Sequence, residues 1–290
     1  MLYVPADNPH RVQKALASGS DAVIIDLEDA LAVSKKVEAR STLPELLALD
    51  RTCLAYVRVN SMSTVFSFED IEAAVRAGAD GISLPMVERA EQIFAVDWMI
   101  SQIETSLGRE IGSTDLLPVL ETGAGLANAQ AALTGNPRIK RAGLGVGDLS
   151  LSLNLNPGPD DAEVWPYRTM LVLASNAAGL DGPLDTVYMD LKNFDGLRES
   201  CKASKRAGFQ GRRIIHPSQV DIVNEEYSPS EAEIANAERI LAGFTVSEEQ
   251  GNASIRVGED FVDYPIAYKA ERVLATRDAL AGNLVKGSES

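Results

Sequence analysis

At four places in this sequence, polar side chains stand at or directly behind the end of a short apolar run. Ala22 to Leu27 leads into Asp26-Leu27-Glu28-Asp29, and Leu54 to Val59 ends in Arg58-Val59-Asn60. Leu116 to Leu120 is followed by Glu121-Thr122, and Ala142 to Val146 by Gly147-Asp148. A single acid in such a place commonly does no more than cap a helix. Several carboxylates and one arginine at the same end of their runs call for a further reason. Glu121 and Asp148 make half of an oxygen site. A magnesium ion usually takes one or two protein carboxylates and completes its octahedron with water and substrate oxygens. Arg58 has the two-pronged donor geometry that neutralises a substrate carboxylate. Gly145 and Gly147 let the backbone approach a ligand, so Gly147 and Asp148 join Arg58 as expected substrate contacts.

Other chemistries are poorly supplied. Two histidines, His10 and His216, cannot build a polyhistidine zinc site and make a histidine-based triad unattractive. Two distant cysteines, Cys53 and Cys201, form neither a disulfide framework nor a thiolate cage, and are read as reduced thiols of a cytoplasmic protein. Gly143-x-Gly145-x-Gly147 lacks the spacing of a dinucleotide fingerprint, and Asp148 would repel a pyrophosphate. The basic run Arg198 to Arg206 is interrupted by Glu199 and reads as a solvated helix face.

The elements that must carry these groups follow from periodicity. Eight runs read as strands: Leu2 to Val4, Ala22 to Leu27, Leu54 to Val59, Gly81 to Leu84, Leu116 to Leu120, Ala142 to Val146, a weak one within Leu180 to Val187, and Arg213 to Ile215. They are nearly continuous in apolar character, as parallel strands covered on both faces are. Helical patterns fill the gaps, notably Pro9 to Ala17, Phe68 to Ala77, Glu88 to Ser106 and Trp165 to Ala178. Asn8 and Ser67 supply helix starts, and glycines at 19, 78 and 208 supply helix ends. This alternation predicts an α/β fold, a (β/α)8 TIM barrel over residues 1–225, whose strand ends converge on one mouth. Residues 226–290 predict a C-terminal helical extension or lid that packs on the barrel or on a neighbouring subunit. It comprises a helix over Ala232 to Phe244, a Gly/Ser/Glu-rich connection over Val246 to Ser254, a strand over Ile255 to Val262 and a helix over Pro265 to Leu280, with Val285 to Ser290 frayed.

Charge narrows the partners. The 290 residues carry 42 acidic and 27 basic side chains, a formal charge of −15, which argues against a nucleic-acid binder. No apolar run approaches the roughly 18–20 residues that cross a bilayer, and Met1 to Arg11 does not read as a secretory signal. A cytoplasmic enzyme with no nucleic-acid or membrane partner is expected.

Taken together, the motifs resemble those of citrate lyase β-subunit-like proteins, in the superfamily that also holds malyl-CoA and citramalyl-CoA lyases and metal-dependent 2-oxo acid aldolases. The matching segments are L-Y-V-P-A at 2–6, D-A-V-I-I-D-L-E-D-A at 21–30, K-x-x-A-R at 36–40, V-R-V-N at 57–60, G-A-D-G-I-S-L-P at 78–85, E-T-G-A-G-L-x-N at 121–128, G-x-G-D-L at 145–149, G-F-Q-G-R-R-I-I-H-P-S-Q at 208–219 and V-D-Y-P-I-x-x-K-A at 262–270. The resemblance implies a homo-oligomer, trimer or hexamer, with Mg²⁺ on Glu121 and Asp148. It also implies that Arg58 binds the carboxylate of a 2-oxo acid and that Glu28 and Asp29 hold metal-bound waters. Asp263 matches an aspartate of the tail that reaches a neighbouring subunit's site. The expected reaction is Mg-dependent carbon–carbon cleavage, or formation, of a 3-hydroxyacyl-CoA thioester such as malyl-, citramalyl- or citryl-CoA, with Asp263 as general acid. A CoA-independent 2-oxo acid aldolase is the alternative suggested by Pro85-Met86-Val87, where many relatives have a lysine in place of Met86, and by Gly147-Asp148-Leu149-Ser150. A non-catalytic lyase-like subunit is the third. If a CoA thioester binds, Arg11, Lys14, Lys36 and Arg40 are the basic residues expected to meet its phosphates.

Overall fold

The computed structural model describes residues 1–158, 160–249, 251–258 and 260–288, with side chains described as far as residue 281. The chain divides into two compact units, residues 1–224 and 225–290.

The first unit is an α/β fold built on an eight-stranded parallel sheet in strict chain order. Its strands are β1 (Leu2–Pro5), β2 (Ala22–Asp26), β3 (Leu54–Arg58), β4 (Gly81–Leu84), β5 (Asp115–Leu120), β6 (Gly143–Leu144), β7 (Leu184–Asp185) and β8 (Gly211–Arg212). The sheet curls without closing as a continuous ladder. One parallel bridge, Leu2 to Ile214, joins its two edges. Tyr3 N donates to Ile214 O at 2.8 Å and Ile214 N to Met1 O at 2.9 Å. Tyr3 lies against a core cluster formed by Ala22, Ile24, Tyr56, Leu117 and Leu184.

The helices of this unit are α1 (Pro9–Leu16), α2 (Lys36–Ser41), α3 (Leu43–Leu47), α4 (Ser67–Ala77), α5 (Ala90–Ser106), α6 (Gly123–Ala127), α7 (Ala129–Leu133), α8 (Val146–Leu153), α9 (Trp165–Ala177), α10 (Phe194–Ala207) and α11 (Val220–Tyr227), the last running across the unit boundary. Local chemistry sets their ends. The Asn8 side chain accepts from Arg11 N and caps α1, with Pro9 at the first helical position. Gly78, at φ 88°, ends α4, and Ala79 N reaches back to Ala74 O, so the chain turns at once into β4.

The last three strands are shorter than the runs predicted, and β8 lies earlier than Arg213 to Ile215. The amides beyond Arg212 are used differently: Arg213 N donates to Asp185 O, while Ile214 N turns to the opposite edge. β6 carries a glycine, which holds strand geometry weakly.

Below the sheet, Glu104 of α5 is fully buried and takes both Nη groups of Arg138, at 2.8 and 2.6 Å, together with the amides of Gly112 and Thr114. Burial works against its charge, but Arg138 and the two amides outweigh it and hold the carboxyl at about 2, below its ordinary 4.5. This pairing stabilises the fold above pH 4.5, by about 3 kcal/mol at full strength, and its contribution is lost as pH falls toward 2. The variant Glu104→Gln is expected to unfold more easily in urea at pH 7 and to lose part of the wild type's acid sensitivity between those pH values.

The second unit contains α12 (Glu231–Glu249), an antiparallel pair β9 (Ser254–Val257) and β10 (Asp260–Asp263), and α13 (Tyr264–Ser288). Its core is Ala237, Ile240, Phe244, Val262, Ala267 and Ala270. Two expectations are corrected here. Helix α12 continues through Val246–Glu249, because nothing in Val-Ser-Glu-Glu breaks it before Gly251, at φ 80°. The single strand expected over 255–262 is a hairpin, turned at Gly258 with φ 65°. Of the segment expected to fray, residues 285–288 belong to α13, and residues 289 and 290 lie outside the described residues. No described helix is long and apolar enough to cross a membrane.

Candidate active site

The ends of β2 and β3 are in register, with Asp26 opposite Arg58. Their side chains meet as a two-pronged pair, Nε to Oδ1 at 2.8 Å and Nη2 to Oδ2 at 2.6 Å. Asp26 also accepts from the amides of Glu28 and Ala30, so it shapes the turn that follows β2. That turn brings the Glu28 carboxylate to 2.8 Å and Asp29 to 3.3 Å from Nη1 of Arg58. The flat guanidinium lies over the Tyr3 ring, 4.9 Å from its centroid.

From the other side, β5 delivers Glu121, which is 4% exposed. Its Oε1 accepts from Met86 N at 2.7 Å. Met86 holds that amide in place with φ 55°, a left-handed conformation uncommon for a residue with a side chain. Its place behind β4 thus acts through its backbone, whatever its thioether does. Glu121 fits only because residue 145 is glycine: a Cβ there would lie 2.6 Å from the Glu121 Cβ and overlap its carboxylate. Gly145 therefore makes room for a protein side chain, where the sequence had suggested a ligand. Gly147 has open space where its side chain would be. Asp148 stands in the first turn of α8, where negative charge is favoured by the helix dipole. The variant Gly145→Ala is expected to push the Glu121 carboxylate aside and break its 2.7 Å bond with Met86 N, read from a crystal structure of the variant.

Five carboxylates, on Asp26, Glu28, Asp29, Glu121 and Asp148, thus gather with Arg58. Burial, opposed by Arg58 and reinforced by Asp29, Glu121 and Asp26, pushes the Glu28 carboxyl up to about 8. Burial pushes Glu121 up to about 7, with Arg213 and the Met86 amide opposing and Asp148 reinforcing. Asp148 is also raised, by burial and by Asp29. Such a cluster holds more negative charge than its arginines answer, and a divalent cation suits that surplus. Among the described residues no group of three or more His, Cys, Asp or Glu forms a ready metal cage. Glu121 and Asp148 are two carboxylates that could hold a divalent cation whose other ligands are water and substrate oxygens.

Four contributors escaped the sequence reading. Asp26 has no separate signal within Asp26-Leu27-Glu28-Asp29, and its cross-strand place opposite Arg58 is what marks it. Tyr3 and Arg213 lie beneath the acids. Arg213 is buried, donates to Tyr3 Oη at 2.9 Å and to Leu144 O, and lies against Gly143, where a Cβ would sit 3.2 Å from its Cζ. The Met86 amide is the fourth.

The four basic residues expected for coenzyme A divide. Arg11 and Lys14 are exposed on α1. Lys36 and Arg40 are buried, and their charges face protein acceptors. Lys36 bonds Leu27 O, Glu28 O and Asn60 Oδ1, while Arg40 pairs with Glu69 and Asp70. Asp263 ends β10 in the second unit, where its Oδ1 accepts from Ile266 N.

Residues 1–217 match the sequence model of HpcH/HpaI aldolase/citrate lyase. The chain belongs to that family. It is an enzyme of the lyase class, citrate lyase β-subunit-like. Among relatives of the HpcH/HpaI family, the citrate lyase subunit beta of Leuconostoc mesenteroides subsp. cremoris is 32% identical over 281 residues, 96% of this chain and 93% of that protein. A (3S)-malyl-CoA thioesterase of Cereibacter sphaeroides is 34% identical over 283 residues, 97% of this chain and 95% of that one. Among solved structures, CitE from Mycobacterium tuberculosis in complex with magnesium, acetoacetate and coenzyme A superposes with a TM-score of 0.77 at 29% identity, covering 95% of this chain and 96% of that chain.

Proposed function

We propose that this chain is a magnesium-dependent carbon–carbon lyase that cleaves, or forms, a 3-hydroxyacyl-CoA thioester of the malyl, citramalyl or citryl type. The observation that carries the proposal is the buried Glu121, held by the Met86 amide and electrostatically coupled to Asp148, at the same strand ends as the Asp26–Arg58 pair. The relative solved with magnesium, acetoacetate and coenzyme A supports the cation and the thioester. The bridge between Leu2 and Ile214 supports reading the curled sheet as a (β/α)8 barrel with this mouth at its carboxyl end.

In this reading Glu121 and Asp148 would hold Mg²⁺, with Glu28 and Asp29 as the further carboxylates facing it. When bound there, the cation supplies Lewis-acid stabilisation for the hydroxyl oxygen that becomes the ketone. Arg58 holds the carboxylate of the 2-oxo acid portion through its Nη1 edge, since Asp26 occupies the other edge. As the carbon–carbon bond breaks, the hydroxyl proton passes to a site carboxylate, for which Glu28 beside Arg58 is the proposed acceptor. The thioester enolate left behind takes a proton from Asp263 of a neighbouring copy, in a homotrimer or hexamer, the proposed general acid. Arg11 and Lys14 are the proposed contacts for the coenzyme phosphates.

A second reading, thioester hydrolysis, is favoured by the likeness to (3S)-malyl-CoA thioesterases. One assay separates the two. Malyl-, citramalyl- and citryl-CoA are incubated with and without Mg²⁺ and the products identified by mass spectrometry. The lyase reading expects acetyl-CoA with glyoxylate, pyruvate or oxaloacetate. Free coenzyme A with the intact hydroxy acid would favour hydrolysis, and no turnover of any of the three, with or without Mg²⁺, would reject both.

A further inference from the structure

Lys36 opens α2, a short way beyond Glu28 in sequence, and its ammonium ends against the backbone of the turn that carries Glu28. It is 7% exposed. Its Nζ donates to Leu27 O at 3.2 Å, Glu28 O at 2.8 Å and Asn60 Oδ1 at 2.5 Å. The first two acceptors belong to the turn after β2 and the third to the segment after β3. Asn60 tightens the same knot: its Nδ2 donates to Leu27 O at 2.9 Å and to Asp70 Oδ2 at 2.6 Å. Asp70, buried at the start of α4, is answered by Arg40 Nε at 3.0 Å.

We infer that Lys36 is a positioning residue for the reaction: it fixes the Leu27–Glu28 backbone so that the Glu28 carboxylate and the Arg58 guanidinium face the same 2-oxo acid. The amide side of this turn is held by Asp26, which accepts from Glu28 N, and the carbonyl side by Lys36. From this pinned turn the Glu28 carboxylate reaches Nη1 of Arg58 at 2.8 Å. All three Lys36 acceptors are neutral oxygens. Burying an ammonium against neutral oxygens is costly. Two carbonyls could be satisfied more cheaply by an amide or a water. What a lysine adds is three donors arranged as a tripod, with a positive charge that also favours the buried Asp70 carboxylate.

This inference rests on the proposed keto-acid site, and the test keeps the two apart. Lys36→Met and Asn60→Ala are titrated calorimetrically with pyruvate and oxaloacetate in the presence of Mg²⁺, and their Mn²⁺ affinity is read by electron paramagnetic resonance. Lys36→Met is expected to bind the keto acid about tenfold or more weakly, with Mn²⁺ affinity changed much less, because Glu121 and Asp148 stand on other elements. Asn60→Ala is expected to change in the same direction, and it carries the test should Lys36→Met fail to fold. A role limited to stability would lower the melting temperature and leave keto-acid affinity as in the wild type, and that result overturns the inference. If the wild type itself binds neither acid, the functional proposal fails, and a crystal structure of the folded variant decides the inference: Glu28 parted from Arg58 upholds it, and an unchanged 2.8 Å contact overturns it.

Discussion

Glu121→Gln is expected to lower Mg²⁺-dependent turnover about a thousandfold or more while the protein stays folded. The amide keeps the shape of the side chain and can still accept from Met86 N, so the position behind β4 is preserved. What is lost is a charge. That charge is costly to bury, which is why the wild-type carboxyl is pushed up to about 7. Its removal is therefore expected to leave the melting temperature unchanged or to raise it slightly, the reverse of what a structural carboxylate such as Glu104 would do. Calorimetric titration with Mg²⁺ and steady-state rates on a malyl-type thioester measure the two effects together. Unchanged turnover with unchanged metal binding would remove the acid pair from the mechanism.

Arg58→Met is expected to fail twice, in stability and in binding. Asp26 is 1% exposed, and losing its two-pronged partner leaves a buried charge unanswered, at a cost of about 3–5 kcal/mol. Keto-acid affinity should fall about a hundredfold or more, as expected when a charged hydrogen-bonding group is removed from a carboxylate site. The double variant Asp26→Asn/Arg58→Met separates the effects. It should recover most of the lost stability in urea and none of the affinity for pyruvate. Wild-type affinity in either folded variant would show that the carboxylate is bound elsewhere.

The sequence made the strand order legible because parallel strands covered on both sides are short apolar blocks, and these blocks are punctuated by glycines such as Gly78. It made Glu121, Asp148 and Arg58 legible because each stands at or directly behind such a block. The same continuity hid the inward-facing members. A strand that is apolar on both faces does not reveal which residues look inward, so Tyr3 and Arg213 could not be assigned to the centre. The burial of Lys36 was hidden for a different reason: lysines are rarely buried, and only the convergence of two distant turns gives this one a reason to be. Gly145 was noticed, but steric room is a three-dimensional property, and the neighbour that needs it comes from another strand.

The single bridge between Leu2 and Ile214 carries a consequence for biosynthesis. The two residues are separated by about 200 positions, so β1 leaves the ribosome long before its second neighbour exists. Throughout that interval β1 can pair only with β2, and its outer edge stays available to any other extended segment nearby. The seam is the last part of the sheet that translation allows to be sewn, and the vulnerable period of this chain ends only when residue 214 has emerged.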